Sequence, residues 1–191
     1  MKQKKRCPWV NMKNSLYVEY HDKEWGVPVR DNQKQFESLS LEIFQSGLSW
    51  ITVLRKRENF RKAFDQFNYK KIALYKRDKI EVLMNDSGLI RHRMKIEATI
   101  TNAKCFIDFQ NKGESFSNYL WTFVNNRTIQ NNYNKIDQVP DQILLSEVIS
   151  KELKKLGFKF VGPKVIYSHM QATGLVNDHI KSCFRYRELK R

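Results

Sequence analysis

Apolar residues recur along this chain at three- and four-residue intervals, the spacing of helix faces, in one block after another. Asp31 is placed to cap a helix that buries Phe36, Leu39 and Ile43 and closes near Gly47. Ser49 can cap the next helix, with the apolar stripe Trp50, Val53, Leu54, Phe60 and Phe64, while Arg55, Lys56, Arg57, Arg61 and Lys62 occupy its other faces. Asp78 is expected to open a short helix carrying Ile80 and Leu83, with Gly88 as its stop. Ile96, Ile100, Ala103 and Ile107 form a further stripe. Phe116, Leu120, Trp121 and Phe123 predict a shorter helix between Ser115 and Val124. From Asp141, the positions of Leu145, Val148, Ile149, Leu153 and Leu156 predict a helix ending at Gly157. The polar, asparagine-rich stretch from Asn125 to Pro140 reads as a long loop. No Val/Ile/Thr alternation lasts more than a few residues. The expected fold is all-α, a single domain over residues 1–191 made of two packed helical lobes.

Charge narrows the choice of partner. Among 191 residues, 35 Lys and Arg oppose 20 Asp and Glu, a net charge of +15, which favours a polyanion such as nucleic acid. A merely solvated basic surface is the alternative. Hydrophobic residues make up 41% of the chain, enough for a real core. No stretch approaches the roughly 18–20 apolar residues of a membrane span. The basic run Met1–Arg6 is followed by Cys7-Pro8-Trp9 and not by an apolar segment, so a cytoplasmic location is expected. Three cysteines, Cys7, Cys105 and Cys183, suit a reducing compartment and metal ligation better than disulfides.

Three groups of residues could carry chemistry. Cys7 with His21, and His179 with Cys183, are two pairs of zinc-ligand types near opposite ends of the chain. The spacing of the second pair predicts one helix face. Spacing alone leaves open whether all four share one ion or stand as unrelated surface pairs. Trp9, Tyr17, Tyr20, Trp25 and Trp50 lie close in sequence, and Glu42 falls on the shoulder of the Phe36–Leu39–Ile43 face. A half-buried carboxylate beside aromatic rings suits a cationic or amine-bearing aromatic ligand, whereas core aromatics with a solvated glutamate are the plainer reading. The segment Gly157–Pro163 separates two helices by a tight turn. Gly162 and Pro163 are placed to start the second helix, whose free N–H groups would seat a phosphate with help from Lys159 and Lys164. An ordinary αα-corner with glycine in its turn fits the same pattern.

Longer motifs bring these groups together. Arg6-Cys7-Pro8-Trp9, Tyr20-His21-Asp22-Lys23-Glu24-Trp25-Gly26-Val27-Pro28, Leu41-Glu42, Gln45 and Gly47-Leu48-Ser49-Trp50 follow in order. Gly88-Leu89-Ile90-Arg91, Gly157 to Pro163 and Gly174-Leu175-Val176-Asn177-Asp178-His179 complete the series. Over nearly its whole length the chain resembles the DNA-3-methyladenine glycosylase I family, bacterial base-excision enzymes of the helix-hairpin-helix superfamily.

The resemblance implies a helix-hairpin-helix over about residues 141–173 and a structural Zn2+ held by Cys7, His21, His179 and Cys183. It implies a base reader at Glu42, pocket walls at Tyr20 and Trp50, and further lining by Trp9, Tyr17 and Trp25. Contacts to double-stranded alkylated DNA would come from Gly47, Leu48, Lys159, Phe160, Gly162 and Lys164. The expected reaction is hydrolysis of the glycosidic bond of 3-methyladenine by a monomer, without strand cleavage. Ile43 and Ser46 depart from the smaller residues often found beside the glutamate, which would trim the pocket, and His169 replaces an aromatic. Asp178 lies near the superfamily's catalytic aspartate but is not assigned catalysis. A DNA- or RNA-binding module without activity and a zinc-stabilised interaction protein are the rivals from other classes.

Overall fold

Asp31 accepts a hydrogen bond from the Lys34 N–H (2.8 Å) and starts a helix over Asn32–Gln45, as its place ahead of the apolar stripe predicts. The computed structural model describes residues 4–190, so the first three residues of the basic N-terminal run and the last residue lie outside it. Helices dominate: α1 (Ser15–Lys23), α2 (Asn32–Gln45), α3 (Trp50–Ala63), α4 (Tyr69–Ile72), α5 (Arg77–Asn85), α6 (Arg93–Asn111), α7 (Phe116–Thr122), α8 (Leu144–Lys155), α9 (Pro163–Ala172) and α10 (Phe184–Glu188).

The departures from the periodicity reading are local. A two-residue parallel ladder, β1 (Ile129–Gln130) with β2 (Val176–Asn177), crosses the stretch expected to be loop. Its length is too short for alternation to show. Lys76, not Asp78, is the N-cap of α5, and Asp78 sits inside the first turn, where its charge suits the helix dipole. Gly88 lies in the turn beyond that helix, which ends at the Asp86 cap. Helix α8 begins at Leu144 and not at Asp141. Its buried face is Ile149 and Leu153, while Val148 and Leu156 are exposed.

The main core gathers Phe36, Ile43 and Phe44 of α2, Phe60 of α3, and Ile96 and Phe106 of α6, all almost wholly buried. A second, smaller cluster joins the chain ends: Cys7, Tyr20, Trp25, Leu54, Ile180 and Cys183. Trp50 packs against both. Helix α9 lies on both α2 and α8, so α2 and the turn after α8 are positioned against the same helix.

Gly174 joins the two clusters. Its φ of +72° is the left-handed region, and a Cβ there would lie 2.5 Å from the Pro28 nitrogen and 2.6 Å from the Val27 carbonyl carbon. Only glycine lets the chain cross the 26–28 segment at this separation.

Candidate base-binding site and metal cluster

The second cluster is built around four metal-type donors. One ligand atom from each of Cys7, His21, His179 and Cys183 lies within 4.8 Å of the others, and all four residues are buried. Cys7 Sγ is 3.5 Å from His179 Nδ1, and Cys183 Sγ is 3.4 Å from His21 Nε2 and 3.5 Å from His179 Nδ1. A tetrahedron with Zn–S bonds of about 2.3 Å and Zn–N bonds of about 2.0 Å has S···N edges of about 3.5 Å. The donor set therefore fits a closed tetrahedral ion.

The outward ring nitrogens agree. His21 Nδ1 faces Asp22 Oδ1 at 2.7 Å, and His179 Nε2 faces the Trp25 carbonyl at 3.0 Å. Each ring thus carries its proton outward and turns a bare nitrogen inward, the form that ligates a metal. Burial opposes the charge of Asp22, but hydrogen bonds from Arg6 and His21 outweigh it and hold the carboxyl below its usual range. The expected helix under His179 and Cys183 is not present: these residues flank a turn, and Cys183 caps α10. The spacing is satisfied by that turn because a tetrahedral donor set fixes distances and not secondary structure.

Aromatic rings connect this cluster to a cavity of about 350 Å3. Trp25 meets His179 edge-on at 4.6 Å, and Trp9 meets His21 at 5.2 Å and Trp25 at 5.1 Å. The cavity is lined by Trp9, Tyr17, Tyr20, Trp25, Glu42 and Trp50, so all six residues singled out in the sequence meet at one place. Its volume is that of a small-ligand site. Tyr20 and Trp50 form one wall, with ring centroids 5.1 Å apart. Trp50 Nε1 is buried with no partner among the described residues.

Glu42 is more enclosed than expected. It is 4% exposed, and burial raises its carboxyl to about pH 8. No described residue hydrogen-bonds the carboxyl, so nothing offsets the desolvation. At neutral pH this desolvation favours the protonated form of Glu42. A cation placed against it would favour the carboxylate.

The expected narrowing by Ile43 and Ser46 does not occur. Ile43 is wholly buried in the main core, Ser46 is the exposed cap of α2, and neither lines the cavity. His169 is a packing residue: its Nδ1 meets Ser38 Oγ at 3.2 Å, and burial lowers its pKa to about 3. A second cavity of about 430 Å3 lies across the Tyr20–Trp50 wall. Two of its arginines are already paired, Arg57 with Glu24 (2.6 Å) and Arg61 with Glu37 (2.7 Å), and Glu42 does not line it, which makes the smaller cavity the candidate site.

Residues outside the sequence reading complete the site. Ser168 and Gln171 of α9 line the cavity, as do Ile136, Val139 and Pro140 from the polar loop. Lys95 reaches through the main core to the end of α2, where its ammonium donates to the carbonyls of Phe44 (3.1 Å) and Ser46 (2.7 Å). This fixes the turn that carries Gly47 (φ +86°) and the exposed Leu48. A buried lysine in an apolar helix pattern gives no such signal from sequence.

The turn between α8 and α9 is braced from α6. Asn102 accepts from the Lys159 N–H (2.8 Å) and donates to the Lys159 carbonyl (3.1 Å), so that N–H is committed to α6. Gly157 (φ +93°) and Phe160 (φ +57°) are both left-handed. For a phenylalanine this conformation is uncommon and strained. The ammonium of Lys164 is paired with Asp141, both exposed, a pair too weak to hold it from a phosphate.

The molecule is thus a mostly helical protein with an aromatic cavity around a buried acid and, beside it, a buried Cys2His2 cluster. The methyladenine glycosylase family model matches residues 9–186, and the chain belongs to that family. It is 50% identical over 178 residues to the DNA-3-methyladenine glycosylase of Haemophilus influenzae, covering 93% of this chain and 96% of the relative. It is 48% identical over 181 residues to DNA-3-methyladenine glycosylase 1 of Escherichia coli, covering 95% and 96%. A crystal structure of a 3-methyladenine DNA glycosylase I superposes with a TM-score of 0.92 at 48% identity, covering 94% of this chain and 98% of that one. The Staphylococcus aureus 3-methyladenine DNA glycosylase I, solved for its recognition of 3-methyladenine, superposes at 0.87 with 35% identity, covering 91% and 92%.

Proposed function

We propose that this protein excises 3-methyladenine from alkylated duplex DNA by hydrolysing the N-glycosidic bond, releasing the free base and leaving an abasic site. The observation that carries the reading is the unpaired, buried carboxyl of Glu42 in a cavity walled by Tyr20 and Trp50. A base inside a duplex is out of reach until it is flipped, at a cost of a few kcal/mol that is smaller for a damaged base. Methylation at N3 makes adenine in DNA cationic. Such a ring offers Glu42 the countercharge and hydrogen-bond donors it lacks, and offers the aromatic walls an electron-poor face.

The weakened bond needs no strong general acid, because the base leaves neutral. Selective enclosure and electrostatic stabilisation of the separating charges then suffice. Among the described residues no lysine lines the cavity, which supports hydrolysis without a Schiff base and without strand cleavage.

The DNA-binding face is proposed from two turns. Leu48, 41% exposed on the Lys95-braced turn beside the cavity, is positioned to fill the gap left by the flipped nucleotide. We read α8, its turn and α9 as the helix-hairpin-helix. The N–H groups of Phe160, Val161 and Gly162 make no hydrogen bond to a described residue and point to a phosphate seat, with the +15 net charge drawing in the strand. Zn2+ is the ion the Cys7–His21–His179–Cys183 cluster fits, and with four protein donors its role is structural. A cytoplasmic monomer is part of the same reading.

Incubation with methylated duplex DNA, followed by chromatography of the released bases, tests the reading. Free 3-methyladenine is expected. Release of 7-methylguanine without 3-methyladenine, or of no base, overturns it.

A further inference from the structure

Gln171 lines the base cavity from α9, and its amide is not free to turn. Its Nε2 donates to Asp178 Oδ2 at 2.7 Å. Asp178 is 1% exposed and is itself fixed on both oxygens: Tyr167 donates its hydroxyl to Oδ2 at 2.5 Å, and Asn131 Nδ2 donates to Oδ1 at 2.6 Å. A carboxylate only accepts, so the Gln171 NH2 must face Asp178 and the opposite amide orientation is excluded. The remaining polar atom, Gln171 Oε1, has no partner among the described residues, and it is not among the side-chain atoms sealed from solvent. It is an uncommitted acceptor on a residue that lines the cavity.

We propose that Gln171 is a base-selecting residue, held by Asp178 so that its carbonyl oxygen reads the exocyclic amine of an adenine ring and repels the six-carbonyl of a guanine. The inference deepens the 3-methyladenine reading and rests on it. An adenine ring presents two N–H donors at that corner, whereas a guanine presents an oxygen. An acceptor facing an acceptor leaves both unpaired in an enclosed site, and such a mismatch discriminates far more strongly than a change in size. The Glu42 carboxyl cannot do this alone, since a carboxyl able to hold a proton can donate to a carbonyl as well as accept from an amine. Gln171 Oε1 never donates. Asp178, close in sequence to the metal cluster, thereby acts as a positioning residue for the cavity and touches no reacting atom.

The test compares release of 3-methyladenine and 3-methylguanine from the same methylated duplex by wild type, Gln171→Met and Asp178→Asn. Gln171→Met keeps the side-chain length and removes the acceptor, and Asp178→Asn lets the amide turn over. In both, the ratio of 3-methyladenine to 3-methylguanine release is expected to fall about tenfold or more. An unchanged ratio in a folded Gln171→Met protein overturns the inference, even if both rates fall together, since a packing role lowers both alike. If Asp178→Asn does not fold, the Gln171→Met ratio decides by itself. Wild-type protein that releases no 3-methyladenine removes the underlying function. Wild-type release with an unmoved ratio removes only the role of Gln171.

Discussion

The indole of Trp25 and the imidazole of His179 meet edge-to-face at 4.6 Å, while the Trp25 carbonyl accepts the outward proton of the same imidazole at 3.0 Å. Trp25 also lines the proposed base cavity. One residue therefore spans the proposed zinc clamp and the ligand site, so the two share a fate although no donor atom enters the cavity.

Loss of the clamp should be felt in the cavity. Removing the metal with a strong chelator, or substituting Cys183→Ser, is expected to lower the melting temperature by about 10 °C or more. Binding of 3-methyladenine, followed by quenching of the cavity tryptophans, should weaken in parallel. Metal analysis is expected to give one zinc per wild-type chain and none in the variant.

The acid in the cavity makes stability depend on pH in a defined sense. Glu42 holds its proton in the folded protein up to about pH 8, but releases it near its ordinary value when unfolded. Between those values the folded state binds the extra proton, so its contribution to stability is present at low pH and is lost as pH rises through 8. Glu42→Gln cannot ionise. The melting temperature of the variant minus that of wild type should therefore grow from pH 5 to pH 9, while excision of 3-methyladenine falls about a hundredfold.

Gly174 offers a test of the crossing that joins the two clusters. Gly174→Ala combines an unfavourable φ with a Cβ 2.5 Å from the Pro28 nitrogen, and is expected to cost about 3 kcal/mol or more. Urea unfolding measures this. Gly113, also left-handed but with nothing within 4 Å of its Cβ position, should lose only about 1 kcal/mol on the same change.

Lys95 tests the braced turn independently of the cavity. Lys95→Met leaves the carbonyls of Phe44 and Ser46 without their donor and frees the Gly47–Leu48 turn. The KM for methylated DNA should rise several-fold, with the affinity for free 3-methyladenine unchanged. A matched loss in both would show that Lys95 supports the cavity and not the turn.

Much of this was legible before folding was considered. Helical periodicity placed α2, α3 and α6, and the shorter α7, with their buried faces, because side-chain burial follows the 3.6-residue repeat. The residue types needed for a metal cluster and an aromatic site were also visible, since few side chains can supply thiolate, imidazole or a stacking face. The two-residue strands and the bounds of α5 and α8 were not, because a short ladder has no period and caps are decided by one or two hydrogen bonds.

The chain by itself determined which chemistries were available: four metal-type donors, six cavity residues and a large excess of positive charge. Only the tertiary structure decided their state. It buried Glu42 without a partner and so raised its pKa, paired Lys164 with Asp141, committed the Lys159 N–H to Asn102, and locked the Gln171 amide against Asp178. These outcomes depend on neighbours 7 to 57 positions away along the chain. Desolvation and hydrogen-bond pairing are properties of an environment, and no residue carries its environment in its identity.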